Sequence, residues 1–479
     1  MITMAEAHKA TNGTWLVQSL PMDTPLQGGS VDTRNLAGAD IFLALKGEQA
    51  DGHDYLHLLA GTGVRLAIVS RELEIPGFTG NILRVENTLL ALAAMGAAAV
   101  AKHKPKVVAI TGSYGKTTAK EVMAHILEGQ RRVLKTPGSY NNEIGLPLSL
   151  LALDGTQDTA VLEFSARNPG DIEYLCRIAP PDVAVLLAVG RAHIGVFGSQ
   201  EAIYLTKGEI FSRLKPGGLA VVGAEDPRLR QLAAGHRVVS FGRGVGDYRA
   251  ENVTEDDQGR QKFEAVQGQI RLGMKSGIPG AHGLYPLLAA WAVARELGVP
   301  DSDVVARGEF HPAQKGRAMP LTAPGGANLL DDSYNASPET VLNLIRTLST
   351  LSGQQRVLVL GHLSELEDGL VESAAAIAQA ISPPLDALWI CAPQQPEFSE
   401  LLSAKVRGVP VRSFSGHGEL IGALRQADQP GMVFGIKGAR SAHMERVVEG
   451  MMGRQIECNL PSCGMIKHCT DCGNLTDQG

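Results

Sequence analysis

The sequence predicts an α/β protein of about three domains. Length is the first reason: the chain has 479 residues, and a domain usually takes about 100–200. The second is the stretch 107–127, VVAITGSYGKTTAKEVMAHIL, which reads as a β-branched buried strand, a glycine loop and an amphipathic helix. The third is the order of strand, loop and helix in RVLVLGHLSELED, ALWICAP and MVFGIKGARSAHMERVVEG, the pattern of a doubly wound sheet.

Composition narrows the function classes. Hydrophobic residues make up 44% and charged residues 20%, a balance too apolar for disorder and ordinary for a soluble globular chain. A net charge of −6 gives no basic footprint for nucleic acid. No run of 18 apolar residues occurs, and MITMAEAHKATNG lacks the apolar core of a signal peptide, so a cytoplasmic protein without membrane insertion is expected. A monomer is expected as well.

Residues 1–102 alternate short apolar runs with turns. Asp32, Thr33 and Arg34 precede a strand-like IFLAL, where an arginine beside a turn is by default a solvated charge. The alanine-rich stretch Leu89 to Lys102 predicts a helix, with 102–106 as a linker. After the strand at 107, Gly112 to Gly115 form the tight loop and Thr117 to Leu127 the helix. Amides at the start of that helix have no intrahelical partner and carry the positive end of its dipole, which suits a polyphosphate. Lys116 would reach the β- and γ-phosphates and the Thr117 hydroxyl would sit on Mg²⁺. Ile110 stands where the general phosphate-loop pattern has its first glycine.

Further on, TPGSYNNEIGLPLSLLAL (Thr136 to Leu153) has the turn chemistry of a surface loop. In TAVLEFSARNPGDI, Glu163 closes an apolar strand. Ligands of open α/β sheets collect at such strand ends, so a carboxylate across from a phosphate loop is a candidate magnesium ligand, the alternative being an ion pair. A strand over Val183 to Val189 follows, then His193 and a helix with Lys207; taken singly, such a histidine is most often structural and such a lysine a solvated charge. From about Gly308 a third domain begins with KGRAMPL and LLDDSYNASPETVLNLIRTL, in which Asp332 could also cap the helix that starts near Pro338.

Of the six cysteines, Cys176 and Cys391 stand alone, whereas Cys458, Cys463, Cys469 and Cys472 crowd the C-terminus. A reducing compartment argues against disulfides. Four thiolates including one C-x₂-C pair could hold zinc or an iron–sulfur cluster, or form a disordered tail with free thiols.

Taken whole, TGSYGKTTAKE resembles the ATP loop of the Mur ligases, the enzymes that extend the peptide of the bacterial cell-wall precursor. The string DDSYNASP is closest to the family member that adds D-alanyl-D-alanine to UDP-N-acetylmuramoyl-tripeptide. The resemblance covers roughly residues 28–450. It implies a small α/β UDP-sugar-binding domain over 1–102, a central P-loop ATPase-like domain over 103–307, a Rossmann-like ligase domain over 308–453, and a Cys-rich tail, 454–479, outside the family pattern. It assigns Thr33 and Arg34 to the nucleotide sugar, and Asn141, Asn142 and Lys437 to the substrate side. Gly112, Ser113, Gly115, Lys116, Thr117, Thr118, His282, Arg317 and Asp332 become ATP contacts. His193 and a carbamylated Lys207 become a second magnesium site beside Thr117 and Glu163. Capture of CO₂ turns a repelling ammonium into a carboxylate-like ligand.

The implied reaction is ATP-dependent formation of an acyl phosphate on a substrate carboxylate, followed by attack of the incoming amine. With Arg317 and Asp332 in a different domain from Lys116, it also implies closure on ATP. Ser139, Arg167, Asn168, Asp171, Gly195, Gly283, Pro286 and His362 depart from the family pattern, which leaves two alternatives in view: a paralogue joining another amine to another carboxylate, and a non-catalytic nucleotide-binding scaffold.

Overall fold

The computed structural model describes residues 1–47, 50–190, 194–280, 283–364, 366, 369–381, 385–456, 458, 469 and 475–476. They form two compact units: Met1–Val189 with Gln200–Arg249 and Leu288–Arg307, and Gly190–Ser199 with Ala250–Leu287 and Gly308–Gly479.

Besides a two-stranded pair, Ile2–Thr3 with Pro25–Leu26, the first unit holds two sheets. In the N-terminal one the strands run in the order Thr14–Val17, Asn81–Arg84, Leu66–Val69, Ile41–Leu43, Gly29–Ser30, parallel except for the first pair. The IFLAL expected as a strand supplies Ile41–Leu43, and Phe42 packs with Leu56, Leu59 and Val69 in the core beneath it. The helix expected from Leu89 spans Thr88–His103. Asn87 caps it by accepting hydrogen bonds from the amides of Leu89 and Leu90, and Lys104 closes it in a left-handed turn at φ 50°, leaving the following proline outside.

The central sheet of this unit runs Arg237–Arg243, Leu219–Gly223, Val183–Leu186, Lys106–Thr111, Thr159–Glu163, Val133–Lys135, all parallel. Parallel strands covered on both faces read as unbroken apolar runs, and Val107–Ile110 and Val183–Leu186 are buried throughout. After Lys106–Thr111 the chain moves outward to Val133–Lys135, returns to Thr159–Glu163, and then crosses to Val183–Leu186 on the other side. The order therefore reverses around Lys106–Thr111, which places the phosphate loop at the switch point where a crevice opens.

The second unit carries a sheet in the order Met319–Thr322, Asn328–Asp332, Met432–Lys437, Gln355–Gly361, Ala387–Cys391, Val411–Ser413, parallel after its first pair. One face packs Leu344, Ile345, Leu348, Leu358 and Ile377, the other Trp389, Phe414, Phe434 and Val447. Helices on both faces make it doubly wound, as the repeated strand and helix order predicts.

Two departures from the family pattern have a local cause in this unit. A Cβ on Gly283 would lie 2.3 Å from the Ser276 hydroxyl oxygen and 2.5 Å from the Ile278 carbonyl oxygen, so only glycine fits there. Pro286 sits in the first turn of the helix Leu284–Glu296, where its missing N–H would have had no intrahelical partner.

Candidate active site

The phosphate loop is held open by its glycines. Gly112 has φ +154° and Gly115 φ +79°, and a Cβ on Gly112 would press against the carbonyl oxygen of Ala188 at 3.1 Å. The Ser113 amide donates to that same Ala188 carbonyl at 2.8 Å, so the loop is tied to the chain leaving the neighbouring strand. Gly115 begins the helix Lys116–Leu127 with no side-chain cap, leaving its first amides to a ligand. Lys116 folds back over the loop, donating from Nζ to the carbonyls of Gly112 at 2.8 Å and Ser113 at 3.3 Å. The Thr117 side chain is buried one position on.

Glu163 ends its strand in register with Ile110 of the loop strand. Its Oε1 accepts from Asn141 Nδ2 at 2.7 Å, while Oε2 is buried without a hydrogen-bond partner among the described residues. An ionised oxygen left so is costly unless a cation serves it, so the magnesium reading of Glu163 fits better than the ion-pair alternative. Asn142 has a structural role, since its Oδ1 accepts the Gly145 amide at 2.9 Å at the start of the next helix. Asp171 gathers the amides of Arg167 at 2.9 Å and Asn168 at 2.8 Å, so the departures at 167, 168 and 171 belong to one closed turn.

Lys120 was not singled out by sequence reasoning, although it stands inside TGSYGKTTAKE. It is fully buried and donates to the carbonyls of Thr136 at 2.6 Å and Gly138 at 2.7 Å, fastening the 136–145 loop to the phosphate-loop helix. Glu121 accompanies it at 3.1 Å and also pairs with Lys135 at 2.6 Å. Burial pushes the Glu121 carboxyl up, but Lys135 and Lys120 outweigh burial and hold it below the ordinary range. Lys120→Met would take the donor from the buried Thr136 carbonyl and from the exposed Gly138 carbonyl, and the buried one left unsatisfied costs roughly 1–3 kcal/mol. We expect about 1–3 kcal/mol less stability by denaturant unfolding; an unchanged midpoint would show that the clasp does not stabilise the fold.

Lys207, in the helix Gln200–Gly208, is also buried. Its amine is lowered from 10.5 to about 7, first by burial and then by repulsion from Lys116, with Glu209 and Asp171 acting in the other direction. An amine that sheds its proton near neutrality can react with CO₂, which an ammonium cannot.

In the second unit Asp332 and Lys437 end adjacent parallel strands in register and their side chains pair. Asp332 also accepts the Ala318 amide at 3.2 Å, which leaves no helix-capping role for it; Ser337 caps the helix Pro338–Thr350. Arg317 stacks over the Tyr334 ring at 4.1 Å. Sequence reasoning passed over Asp331, whose buried carboxylate takes the Gly316 amide at 2.8 Å and the Ser333 hydroxyl at 2.6 Å and so fixes the turn carrying Arg317. Burial raises its pKa, with those hydrogen bonds opposing. His362 is buried between Gln394 and Ser441.

Elsewhere, Arg34 is exposed and grips Asp32 with two 2.8 Å contacts, and Thr33 is partly exposed beside it. His193, His282, Cys463 and Cys472 lie outside the described residues. Cys458 and Cys469 have different surroundings: Cys458 lines a cavity of about 460 Å³ in the second unit, whereas Cys469 packs against His443, Glu445 and Arg446. Of the residues expected at the site, only Cys458 lines that cavity. Burial pushes the thiols of Cys176 and Cys391 up to about 12, so neither is a nucleophile.

Comparison with known proteins covers nearly all of these features. Residues 110–294 match the Mur ligase middle domain, and residues 316–440 match the Mur ligase, glutamate ligase domain. The UDP-N-acetylmuramoyl-tripeptide--D-alanyl-D-alanine ligase of Synechocystis sp. is 32% identical over 441 residues, 91% of this chain and 94% of that one. The enzyme of the same name from Escherichia coli is 31% identical, covering 90% and 94%. Among solved structures, MurF from Acinetobacter baumannii superposes with a TM-score of 0.84 at 31% identity over 94% of this chain and 98% of its own. MurF ligase from Thermotoga maritima in complex with ADP gives 0.79 at 30% identity over 89% and 97%. The tail beyond residue 453 lies past both domain matches.

Proposed function

The chain belongs to the Mur ligase family, and from that membership we propose that it joins D-alanyl-D-alanine to UDP-N-acetylmuramoyl-tripeptide with cleavage of ATP. It is an ATP-dependent acid–amino-acid ligase with the three-domain α/β architecture of its family. The observation that carries the reading is the grouping, around one switch point, of a phosphate loop, a carboxylate with an unpartnered buried oxygen and a buried lysine titrating near 7.

The amides of 112–118 and Lys116 bind the polyphosphate and orient its γ-phosphoryl group. A substrate carboxylate oxygen attacks that phosphorus and the bond to ADP breaks, giving an acyl phosphate. The dipeptide amine then attacks the acyl carbon; the tetrahedral intermediate expels phosphate and the nitrogen loses a proton, leaving an amide. Since phosphoryl transfer is governed by positioning and charge neutralisation, fixed donors count for more than a nucleophile on the protein. The residues present fit magnesium: Thr117 and Glu163 would hold one ion, His193 and carbamylated Lys207 another. When bound, magnesium supplies positive charge against the triphosphate.

In the same reading Arg317 and Asp332 contact ATP, with Arg317 on phosphate and Asp332 on ribose, and His282 stands near the base. Thr33 and Arg34 hold the uridine nucleotide; Asn141, Asn142 and Lys437 serve the substrate. The domain boundaries fall at 102/103, 307/308 and 453/454. No helix among the described residues is long and apolar enough to cross a membrane, and the reading places a monomer in the cytoplasm, where its nucleotide substrates are made.

Hydroxylamine trapping tests the ligase chemistry. With ATP, magnesium and the UDP-linked tripeptide but no dipeptide, an acyl phosphate yields the tripeptide hydroxamate, and omission of ATP abolishes it. Phosphate release with no hydroxamate would contradict an acyl-phosphate route.

A further inference from the structure

Outside the ATP and substrate residues, the described residues contain one cluster able to ligate a metal: His443, Glu445 and Cys469, all buried, with donor atoms within 4.8 Å of one another. His443 Nδ1 is 3.3 Å from Glu445 Oε1 and 3.4 Å from Cys469 Sγ. A tetrahedral zinc with ordinary bond lengths sets a nitrogen and an oxygen ligand about 3.4 Å apart, and a nitrogen and a sulfur about 3.6 Å apart. The two pairs that include His443 are thus already near ligand spacing, and the Glu445 and Cys469 donors lie within 4.8 Å of each other.

We propose that His443, Glu445 and Cys469 form a zinc site that fixes the C-terminal tail to the start of the helix Glu445–Met451. Imidazole, thiolate and carboxylate together suit zinc; magnesium prefers an all-oxygen shell and keeps several of its waters. Binding forms one bond from each donor to the ion and releases the Cys469 thiol proton to solvent, with no change of oxidation state. Three protein ligands leave the fourth tetrahedral position to water or a further donor.

The surroundings support the ligand set. Arg446 Nε lies 3.2 Å from Cys469 Sγ, Arg440 Nη1 lies 2.8 Å from Glu445 Oε1, and the Cys469 amide lies 3.2 Å from that same oxygen. The contacts of Arg446 and of the Cys469 amide are hydrogen bonds and that of Arg440 is an ion pair; outer hydrogen bonds of this kind hold metal-binding side chains in position. The two guanidinium charges weaken cation binding, and the Glu445 carboxylate with the Cys469 thiolate offsets them. The site gives a reason for Cys469, which stands outside the family pattern, to lie against His443 and Glu445.

The test uses the full-length chain, stripped with chelator and titrated with Zn²⁺ against a chromophoric competitor. Uptake of one zinc per chain, weakened at least about tenfold in both His443→Ala and Cys469→Ser, is the expected result. No stoichiometric zinc, or an affinity in either variant equal to that of the unaltered chain, would overturn the proposal. Zinc retained by His443→Ala but lost from Cys463→Ser would place the ion on the tail cysteines and overturn the assignment of His443. Should a variant fail to fold, Co²⁺ bound to the unaltered chain still decides: a charge-transfer band of one-thiolate intensity supports the site, and one of four-thiolate intensity or no band overturns it.

Discussion

Lys207→Ala lowers kcat for ligation by at least about a hundredfold to a thousandfold, the scale of removing one electrostatic contact from a transition state, and acetate or formate restores part of the loss. The expectation follows from the environment of the amine. It is buried, repelled by Lys116 and lowered to about 7, so near neutral pH a large fraction is unprotonated and able to add CO₂. The carbamate carries a negative charge and two oxygens where an ammonium would have carried a positive one. A short carboxylate diffusing into the space left by alanine offers the same two oxygens, so rescue separates the chemical role from a packing role.

The sign of the pH dependence is fixed as well. Below about 7 the amine keeps its proton and carbamylation fails, so activity in CO₂-depleted buffer falls as pH drops through that value, and added bicarbonate restores it most above 7. The unmodified chain also has a stability signature. Its folded amine titrates near 7 and the unfolded one near 10.5; stability rises with pH between those values and is flat on either side. Activity of Lys207→Ala equal to that of the unaltered chain would remove the carbamate from the account.

Lys116→Met loses ATP turnover by about a thousandfold or more, by the same reasoning about charge neutralisation in phosphoryl transfer, whereas the affinity for the UDP-linked tripeptide stays within about twofold. The split is expected because Lys116 donates to the loop carbonyls of Gly112 and Ser113, groups it can leave for phosphate oxygens. It has a second effect that is less obvious. Lys116 is the charge that, after burial, does most to lower Lys207, so its removal raises the Lys207 pKa and reduces carbamylation at a given pH. Calorimetric titration of the tripeptide, beside phosphate release at several CO₂ levels, reads both effects. A variant that turns over ATP normally would show that the loop does not hold the reacting phosphates.

The parts of this site that were legible in the sequence are those whose chemistry is local. A polyphosphate needs free amides, glycines that bare them, and a lysine and threonine at the helix start, all within one stretch, so TGSYGKTT announces itself. The helix at 88–103 was legible for the same reason, its cap and end lying next to its apolar run. The contacts that were not legible join distant residues. Lys120 meets carbonyls 16 and 18 positions away, Asn141 meets Glu163 across 22, and Lys437 meets Asp332 across 105. Parallel-strand register sets such meetings, and no single segment encodes it. Gly283 reads in the sequence as a lost asparagine, and only the space around its missing Cβ gives it a reason. Cys469 reads as one of four equivalent thiols, and its neighbours turn out to be a histidine and a glutamate more than twenty positions upstream.

The reaction product is the most direct test of ligase activity. Purified chain, ATP, Mg²⁺ and UDP-N-acetylmuramoyl-tripeptide are incubated with and without D-alanyl-D-alanine, phosphate is measured, and the nucleotide product is weighed by mass spectrometry. Phosphate release that depends on the dipeptide, matched mole for mole by a UDP-linked pentapeptide, is the predicted result. Bound ATP with neither phosphate nor pentapeptide from this pair would contradict it.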